Sequence, residues 1–585
     1  MAKKRKELIE NDGDRTARST AAIFRNIKTS DSILQEEGKK TDKDEKVDMP
    51  NEPLGNSQDD INDAGFPFNY IYKFQDYLNQ HMNLLKSAQL LVFGFFIQLI
   101  YLRQDKFDHA KKSLPMMLFS CAGVLSCTVL SIVKSKEETI HVPDFNYFYS
   151  ILIPSLFNIV HYDPSWMLIN NSLNYFIVDK MHPIFNLISS VIFFVIYKEE
   201  SGDTITVFEF LQISAAHFLF SYALHSVNTA QALGGQKDKV NDNSNKLVFE
   251  KSLRNSEIQL ICLLIVNIIF NPAITKDSIP LQIFQKLLIS LIITSFLAYP
   301  IHSYLNGLIN IGVFGAIFCG LTIFQLQTIL GNNALIWLYE YVSDDPEKVQ
   351  ILKIWVSSAL IIIPLIFYLA DKFSLNTRRK IWHLVIIVAL TFSNNILFNQ
   401  VEFTILSLLG MIIVFLILEI IRYNEISFIG SFLKNSLNKF QDLKDSGPFN
   451  LSYIYLLSGV ILPIVYDYLM NKNKVTIIRY LGLIALGVGD SFASIIGRRF
   501  GSLKWKGSNK SVQGTIAFII TTFISINIVE YYNIKNKDYE PITNWENALV
   551  SILLGGVLEG TSNINDNYLI PTFIPIAYEL LSRCY

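Results

Sequence analysis

From about Gln89 to the C terminus, apolar runs alternate with short polar breaks. Half of all residues are hydrophobic and only 17% are charged, whereas soluble domains carry about 25% charged residues. A transmembrane helix needs about 20 apolar residues, and several runs are shorter, so we expect some half-helices or interfacial segments. We therefore predict an all-α polytopic membrane protein with roughly 12 to 16 transmembrane helices.

The first 66 residues differ from the rest of the chain. They are mainly polar and charged, as in the stretch 36–46, and they contain too little apolar surface to bury a core. We predict a disordered tail over 1–66, and we expect no cleavable signal peptide because no apolar h-region is present. We predict that the remainder divides into an N-terminal multi-span membrane region, 67–370, and a C-terminal membrane-embedded region, 371–585, in which we expect the chemistry.

Net charge and cysteine content bear on the class of protein. The net charge of −1 at pH 7 gives no reason to expect nucleic-acid binding. The five cysteines are scattered and form neither a metal-ligand pair nor a disulfide framework. The lipid bilayer is the partner that the composition indicates.

Polar residues press against the apolar runs mainly after residue 371. The stretch 378–383 opens one run. Glu419 and Arg422 close the next, and their i,i+3 spacing would place them on one helix face as a pair. The polar segment 440–448 then precedes the run that begins near residue 451. We therefore expect the chemistry in the last third of the chain.

A single acid, Asp490, lies inside the apolar run 481–497. At the bilayer centre an Asp costs about 2.5–3.5 kcal/mol, so an intramembrane acid is by default a functional hypothesis. Gly487 and Gly489 are poor helix formers and would loosen the run just before the acid. We expect Asp490 or Ser491 to cap a new helix, whose N-terminal N–H groups would favour an anion such as phosphate.

On that helix, Asp490, Ser494, Gly497 and Gly501 fall on one narrow face. Small residues there would let a ligand approach the backbone closely. A second interpretation stays open, because the Gly497-x-x-x-Gly501 spacing is also typical of helix packing.

A basic loop follows the acid and contains no acidic residue. Its cations are Arg498, Arg499, Lys504, Lys506 and Lys510. Positive charge also collects in cytoplasmic loops by topology alone. The glycine-flanked Lys510-Ser511 pair, with Gly514 beyond it, offers an ammonium, a hydroxyl and open amides that can cradle phosphates, although the P-loop pattern is absent. An acid that can hold a metal beside cations that can hold phosphates indicates a nucleotide site at the membrane surface.

These motifs resemble the polyprenol kinase family, and within it the dolichol kinases. The wider group includes phytol kinases and, more distantly, the CTP:phosphatidate cytidylyltransferases. The resemblance covers about residues 375–575 and rests on these segments: Arg379-Lys380-x-x-His383, 442–448 with 454–463, 487–501, 510–515, and Glu559-Gly560 followed by 565–571. Gln513 stands where the family usually has Glu, so an acidic role at that position is in doubt.

The resemblance implies CTP-dependent phosphorylation of dolichol to dolichyl phosphate, the lipid carrier for protein glycosylation, at the endoplasmic reticulum membrane. The CTP site would face the cytosol. Dolichol and CTP would be the substrates, with a divalent metal, Mg²⁺ or Ca²⁺, as cofactor.

The resemblance also implies roles for individual residues. Asp490 would be the leading metal ligand, with Asp442, Asp445 or Asp566 as a second acid, and we expect Asp445 to be catalytic. His383 would act as proton acceptor or as a polar anchor. The expected nucleotide-binding residues are Gly489, Ser491, Gly497, Arg498, Lys504, Lys506, Lys510, Ser511 and Gly514.

Other functions stay open at this point. A cytidylyltransferase would use a similar nucleotide site but attack the α-phosphate, and its usual additional acids are missing around Asp490. A kinase for another isoprenoid alcohol, such as phytol, would share the whole site. A membrane transporter would explain the spans and a buried acid but not the Lys510-Ser511 loop.

Overall fold

The structure is a computed structural model, and its regular elements are helices throughout the described part of the chain. It describes residues 84–107, 152–153, 156–157, 160, 207–234, 253, 255–270, 275–302, 304–305, 307–331, 333–440, 449–471, 474–505, 510–562 and 565–585. The predicted all-α polytopic class is confirmed. The predicted tail, 1–66, lies outside the described residues.

The helices are numbered here in chain order. They are α1 (Leu84–Leu102), α2 (Val207–Gly234), α3 (Asn255–Phe270), α4 (Ile279–His302), α5 (Gly307–Leu330), α6 (Ala334–Ser343), α7 (Pro346–Leu369), α8 (Leu375–Thr391), α9 (Val401–Tyr423), α10 (Ser427–Leu437), α11 (Ser452–Met470), α12 (Ile478–Phe500), α13 (Val512–Asn533), α14 (Trp545–Thr561) and α15 (Asp566–Cys584). Short 3₁₀ turns cover Gln104–Lys106, Ala370–Lys372, Asn394–Ile396 and Asn438–Phe440.

Among the described residues, seven helices are long and apolar enough to cross a membrane. They are α4, α5, α7, α9, α11, α12 and α13. Parts of α1 and α3 form shorter apolar helices. Several predicted spans lie outside the described residues, so the expected 12 to 16 crossings stay a prediction.

The core sits around α11 and α12. In these two helices 61% and 56% of the apolar window is buried, against 6% in α5 and 11% in α7. The side chains of Phe518 on α13 and Phe573 on α15 are completely buried in the same cluster. The C-terminal helices therefore form the packed centre, while α5 and α7 expose apolar faces, as lipid-facing helices do.

Helix α12 carries a π-helical segment, Leu483–Gly489, directly before Asp490. The Asp490 N–H donates to the Ala485 oxygen, and its backbone angles are helical (φ −65°, ψ −31°). The helix therefore runs through this position, and the expected new helix N-terminus at Asp490 or Ser491 is wrong. π-Helical turns of this kind occur frequently at functional sites.

The two glycines before Asp490 serve close packing instead of breaking the helix. A Cβ atom at Gly487 would lie 1.8 Å from Cδ1 of Ile387 on α8. A Cβ atom at Gly489 would lie 2.5 Å from Oγ1 of Thr522 on α13. Because both neighbours approach the bare backbone, these glycines bring α8 and α13 against the segment that carries the acid.

Loop contacts show which helix ends lie together. Val475, between α11 and α12, donates its N–H to the Asp538 oxygen at 2.8 Å and accepts from Glu540 at 2.9 Å. At the opposite end of α12, Val512 donates to the Leu503 oxygen at 2.8 Å. Helices α12 and α13 are therefore antiparallel, and Asp490 lies on the half of α12 that ends at the 501–511 loop.

A buried ion pair ends α9. Arg422 Nη2 lies 2.6 Å from Glu419 Oε1, which confirms the predicted i,i+3 pair. Glu419 also accepts hydrogen bonds from the Asn450 N–H and the Tyr453 hydroxyl, each at 2.8 Å. The pair therefore ties the end of α9 to the start of α11, directly after the undescribed residues 441–448.

Candidate active site

A cleft of about 210 Å³ opens where five segments meet: α8, α12, the start of α13, the end of α14 and the start of α15. Its lining is predominantly polar and charged, although most of these helices are apolar. The lining residues are Asn376, Arg379, Lys380, His383, Asp490, Ala493, Ser494, Gly497, Arg498, Lys510, Ser511, Gly514, Glu559, Asp566 and Asn567.

Three carboxylates from three helices converge in this cleft. Asp490 comes from α12, Glu559 from α14 and Asp566 from α15, and one oxygen of each lies within 4.8 Å of the others. Asp490 is only 8% exposed and Glu559 only 6%, whereas Asp566 is half-buried. Burying acids so close together is costly unless cations accompany them.

Two lysines supply part of the compensating charge. Lys380 on α8 forms an ion pair with Asp490. The Lys510 ammonium lies 2.9 Å from Glu559 Oε1 and 2.9 Å from Asp566 Oδ2, and it donates to the Glu559 main-chain oxygen at 2.7 Å. Burial alone would lower the pKa of Lys510, but the carboxylates of Asp566 and Glu559 outweigh burial and raise that pKa above its ordinary value. Lys510 is therefore a fixed positive charge in the cleft.

Two helix N-termini border the cleft. Ser511 caps α13 by accepting the Gly514 N–H at 3.1 Å, and Asn565 caps α15 by accepting the Asn567 N–H at 3.1 Å. Ser511, Gly514 and Asn567 line the cavity. The first amides of a helix favour anions, so α13 and α15 bring to the cleft the kind of helix end that we expected at Asp490.

His383 links α8 to the π-helical segment of α12. Its Nδ1 lies 2.9 Å from the Leu486 main-chain oxygen and 3.6 Å from Asp490 Oδ2. A carbonyl oxygen can only accept, so Nδ1 carries the proton and donates it. The side chain is only 5% exposed. This geometry matches the polar-anchor alternative, in which His383 holds α8 against the acid-bearing helix.

The glycines after Asp490 also pack closely. A Cβ atom at Gly514 would lie 2.9 Å from the Ala493 oxygen, and one at Gly497 would lie 2.9 Å from Ser511 Oγ. Gly501 is equally close to Ser511. The helix-packing interpretation therefore explains Gly497 and Gly501, although Gly497 also lines the cleft.

The structure brings most of the predicted site residues together. Those that line the cleft are Asp490, His383, Gly497, Arg498, Lys510, Ser511, Gly514 and Asp566. Gly489 is buried against α13, and Ser491 and the exposed Lys504 also lie outside the lining. Asp442, Asp445 and Lys506 lie outside the described residues, and their roles stay predictions.

Sequence reasoning assigned no role to Lys380 or Glu559, which the structure brings to the centre of the cleft. Lys380 lies 110 positions from its partner Asp490, too far for any local pattern to pair them. Glu559 follows an apolar run just as Asp490 lies within one. An acid at a membrane helix end was therefore a signal that could have identified it.

The carboxylate cluster fits a divalent metal of the Mg²⁺ or Ca²⁺ type. These ions take oxygen ligands, most often carboxylates, and the three acids offer oxygens within 4.8 Å of one another. Asp490 and Asp566 agree with the predicted ligand set, and Glu559 adds a third candidate.

Comparison with known proteins gives matches to dolichol kinases, the group that the sequence motifs resemble. The family model of the dolichol kinase N-terminal domain matches residues 37–235, a part of the chain that the sequence motifs did not reach. The dolichol kinase of Saccharomyces cerevisiae is 40% identical over 253 residues, covering 43% of this chain and 46% of that protein.

Two further relatives give similar coverage. The human dolichol kinase is 28% identical over 272 residues, or 44% of this chain and 49% of that protein. The Schizosaccharomyces pombe dolichol kinase sec59 is 31% identical over 221 residues, which cover 37% of this chain and 41% of that protein. The chain thus spans somewhat less than half the length of these relatives. No solved structure matches. The resemblance to the dolichol kinases is confirmed.

Proposed function

We propose that this chain, a relative of the dolichol kinases, phosphorylates dolichol with CTP as the phosphate donor. The observation that carries the proposal is the convergence of Asp490, Glu559 and Asp566 with Lys380 and Lys510 in one cleft. Phosphoryl transfer depends mainly on positioning and on neutralising charge. Carboxylates for a metal and cations for phosphates are the groups that this reaction requires.

The proposed reaction transfers the γ-phosphoryl group of CTP. The terminal hydroxyl oxygen of dolichol forms a bond to the γ-phosphorus, the bond from that phosphorus to the bridging oxygen breaks, and CDP leaves. The hydroxyl proton passes to a carboxylate of the cleft. A bound Mg²⁺ or Ca²⁺ would supply charge neutralisation at the phosphate oxygens, held by Asp490, Glu559 and Asp566.

The chain's own residues would bind and orient the nucleotide. Lys380 and Lys510 would neutralise phosphate oxygens, with Arg379 and Arg498 at the rim adding positive charge. The N-terminal amides of α13 and α15 would donate to the same anion. The cleft lies where several apolar helices end, so an isoprenoid chain can stay in the bilayer while its hydroxyl reaches the phosphates.

We further propose an endoplasmic reticulum location with the cleft facing the cytosol, where dolichyl phosphate would serve protein glycosylation. CTP is a cytosolic nucleotide, and positively charged loops favour the cytosolic side. The exposed Arg499 at the end of α12 and the exposed Lys504 in the 501–511 loop support this orientation.

The test uses membranes from cells that express the chain, supplied with dolichol and CTP labelled at either the γ- or the α-phosphate. The proposal expects label in dolichyl phosphate from γ-labelled CTP only. Lipid label from α-labelled CTP would indicate a cytidylyltransferase instead. Faster phosphorylation of phytol than of dolichol would indicate a kinase for another isoprenoid alcohol. Lack of any CTP turnover would favour a transporter.

A further inference from the structure

Two side chains from the N-terminal half reach the segment that joins two of the cleft carboxylates. Gln89 on α1 donates from Nε2 to the Thr561 main-chain oxygen at 2.8 Å. Glu257 on α3 accepts a hydrogen bond from the Asn565 N–H, with 2.9 Å between the nitrogen and Oε1. Both side chains are almost fully buried, at 5% and 6% exposure. The first contact lies two residues after Glu559 and the second directly before Asp566.

Each contact satisfies a main-chain group at a helix end. Thr561 is the last residue of α14, so its carbonyl has no partner within the helix. Asn565 is the N-cap of α15, and its own N–H points out of the helix. The Glu257 carboxylate is also well placed electrostatically, because the N-terminal end of α15 favours negative charge.

Packing of α1 and α3 against α15 holds the Gln89 donor and the Glu257 acceptor in place. The rings of Phe96 on α1 and Phe573 on α15 lie 5.7 Å apart, edge to face. Ile258 and Cys262 on α3 belong to one buried cluster with Tyr568 on α15. Helices α1 and α3 are therefore packed against the helix that begins at Asp566.

We propose that Gln89 and Glu257 are positioning residues that fix the end of α14 at Thr561 and the start of α15 at Asn565, and thereby set the separation of Glu559 and Asp566. This assigns the N-terminal half a part in building the C-terminal cleft, and its kinetic consequence rests on the proposed function. The two side chains touch no reacting atom. They act through the main chain of the segment that carries the acids.

The kinetic test compares Gln89→Leu and Glu257→Leu with matched controls. Glu257→Gln keeps an acceptor oxygen at the same position, and Gln98→Leu makes the same change at an exposed site on α1. Misplacing a catalytic group by about 1 Å can cost about 100-fold, so we expect kcat/KM for CTP to fall about 10- to 100-fold in both Leu variants. The metal concentration for half-maximal activity should rise as well, whereas both controls should stay near wild type.

A purely structural role would give a different pattern. Activity per folded molecule and the metal requirement would then stay at wild-type values while only protein yield fell. That result, or wild-type kinetics in both Leu variants, would overturn the proposal.

A second measurement is independent of catalysis. Hydrogen exchange measured by mass spectrometry should speed up in peptides covering residues 559–568 in both Leu variants, while peptides from α13 stay unchanged. Unchanged exchange at 559–568 would overturn the anchoring. Faster exchange in a chain whose wild type never phosphorylates dolichol would overturn the proposed function and leave the anchoring intact.

Discussion

The Lys510 ammonium lies 2.9 Å from Oδ2 of Asp566, a residue 56 positions further along the chain. The same ammonium lies 2.9 Å from Glu559 Oε1. One lysine thus joins the N-terminal end of α13 to two acids on α14 and α15. These contacts distinguish Lys510 from Lys504, which is exposed and lies outside the cleft lining.

We predict that Lys510→Gln raises KM for CTP about ten- to a hundredfold, because a hydrogen bond to a charged group contributes about 1.5–3 kcal/mol. Lys504→Gln is the matched control, since Lys504 is exposed and lies outside the cleft lining. Steady-state kinetics in membranes would measure both. Equal effects at the two positions would mean that the loop acts through its general charge and not through the cleft.

The raised pKa of Lys510 predicts its behaviour with pH. Burial alone would lower that pKa, but Asp566 and Glu559 raise it above the ordinary value. A cation of this kind stabilises the fold at every pH below the unfolded-state pKa, and the contribution is lost only as the pH rises through the raised value. Because Lys510 stays protonated below about pH 10, kcat/KM should change with pH in the same way in the wild type and in Lys510→Arg up to that pH. If kcat/KM of the wild type fell at alkaline pH and that of Lys510→Arg did not, Lys510 would lose its proton in this range and the prediction would be wrong.

We expect Asp490→Asn to lower dolichol phosphorylation at least about 100-fold, because the metal that would neutralise transition-state charge would lose a carboxylate ligand. The change is nearly isosteric, but it leaves Lys380 without its carboxylate partner. Asp538→Asn, at an exposed site outside the cleft, is the control. If the single variant is poorly produced, the double variant Asp490→Asn/Lys380→Gln should restore yield without activity. Near-wild-type turnover in Asp490→Asn would show that the acid is not part of the reaction site.

Gly459 on α11 should tolerate no side chain. A Cβ atom there would lie 2.0 Å from the main-chain oxygen of Asn567, and overpacking of this kind costs about 1–3 kcal/mol. Gly459→Ala should therefore lower both the thermal stability of the detergent-solubilised protein and its activity, because α15 must move. Gly410→Ala on α9 meets nothing within 4 Å and should leave both at least as high as in the wild type. Equal stability of the two variants would contradict the close approach of α11 and α15.

The proposed orientation can be tested with cysteines placed at opposite ends of α12 and α13. Lys504 and Asp538 are both exposed and lie at the two ends of this antiparallel pair. In a cysteine-free chain and sealed right-side-out microsomes, Lys504→Cys should react with a membrane-impermeant thiol reagent. Asp538→Cys should react only after detergent is added. Protection of the Lys504 site would put the cleft in the lumen and would contradict the use of cytosolic CTP.

Local sequence patterns were sufficient to predict the class of the protein and to single out particular residues. Long apolar runs can be read locally, because burial in a bilayer depends on composition over one helix length. The cost of a lone intramembrane acid singled out Asp490 in the same way, and the i,i+3 spacing of Glu419 and Arg422 predicted their pair. Each of these signals is contained within one helix.

The groups that meet Asp490 and Lys510 could be identified only from the folded chain. Lys380 comes from a helix 110 positions away from Asp490, and Gln89 reaches Thr561 across 472 positions. The glycines before Asp490 suggested a helix break, yet their neighbours Ile387 and Thr522 show that they serve close packing. Whether a glycine ends a helix or serves packing depends on contacts between distant segments, which local sequence does not encode.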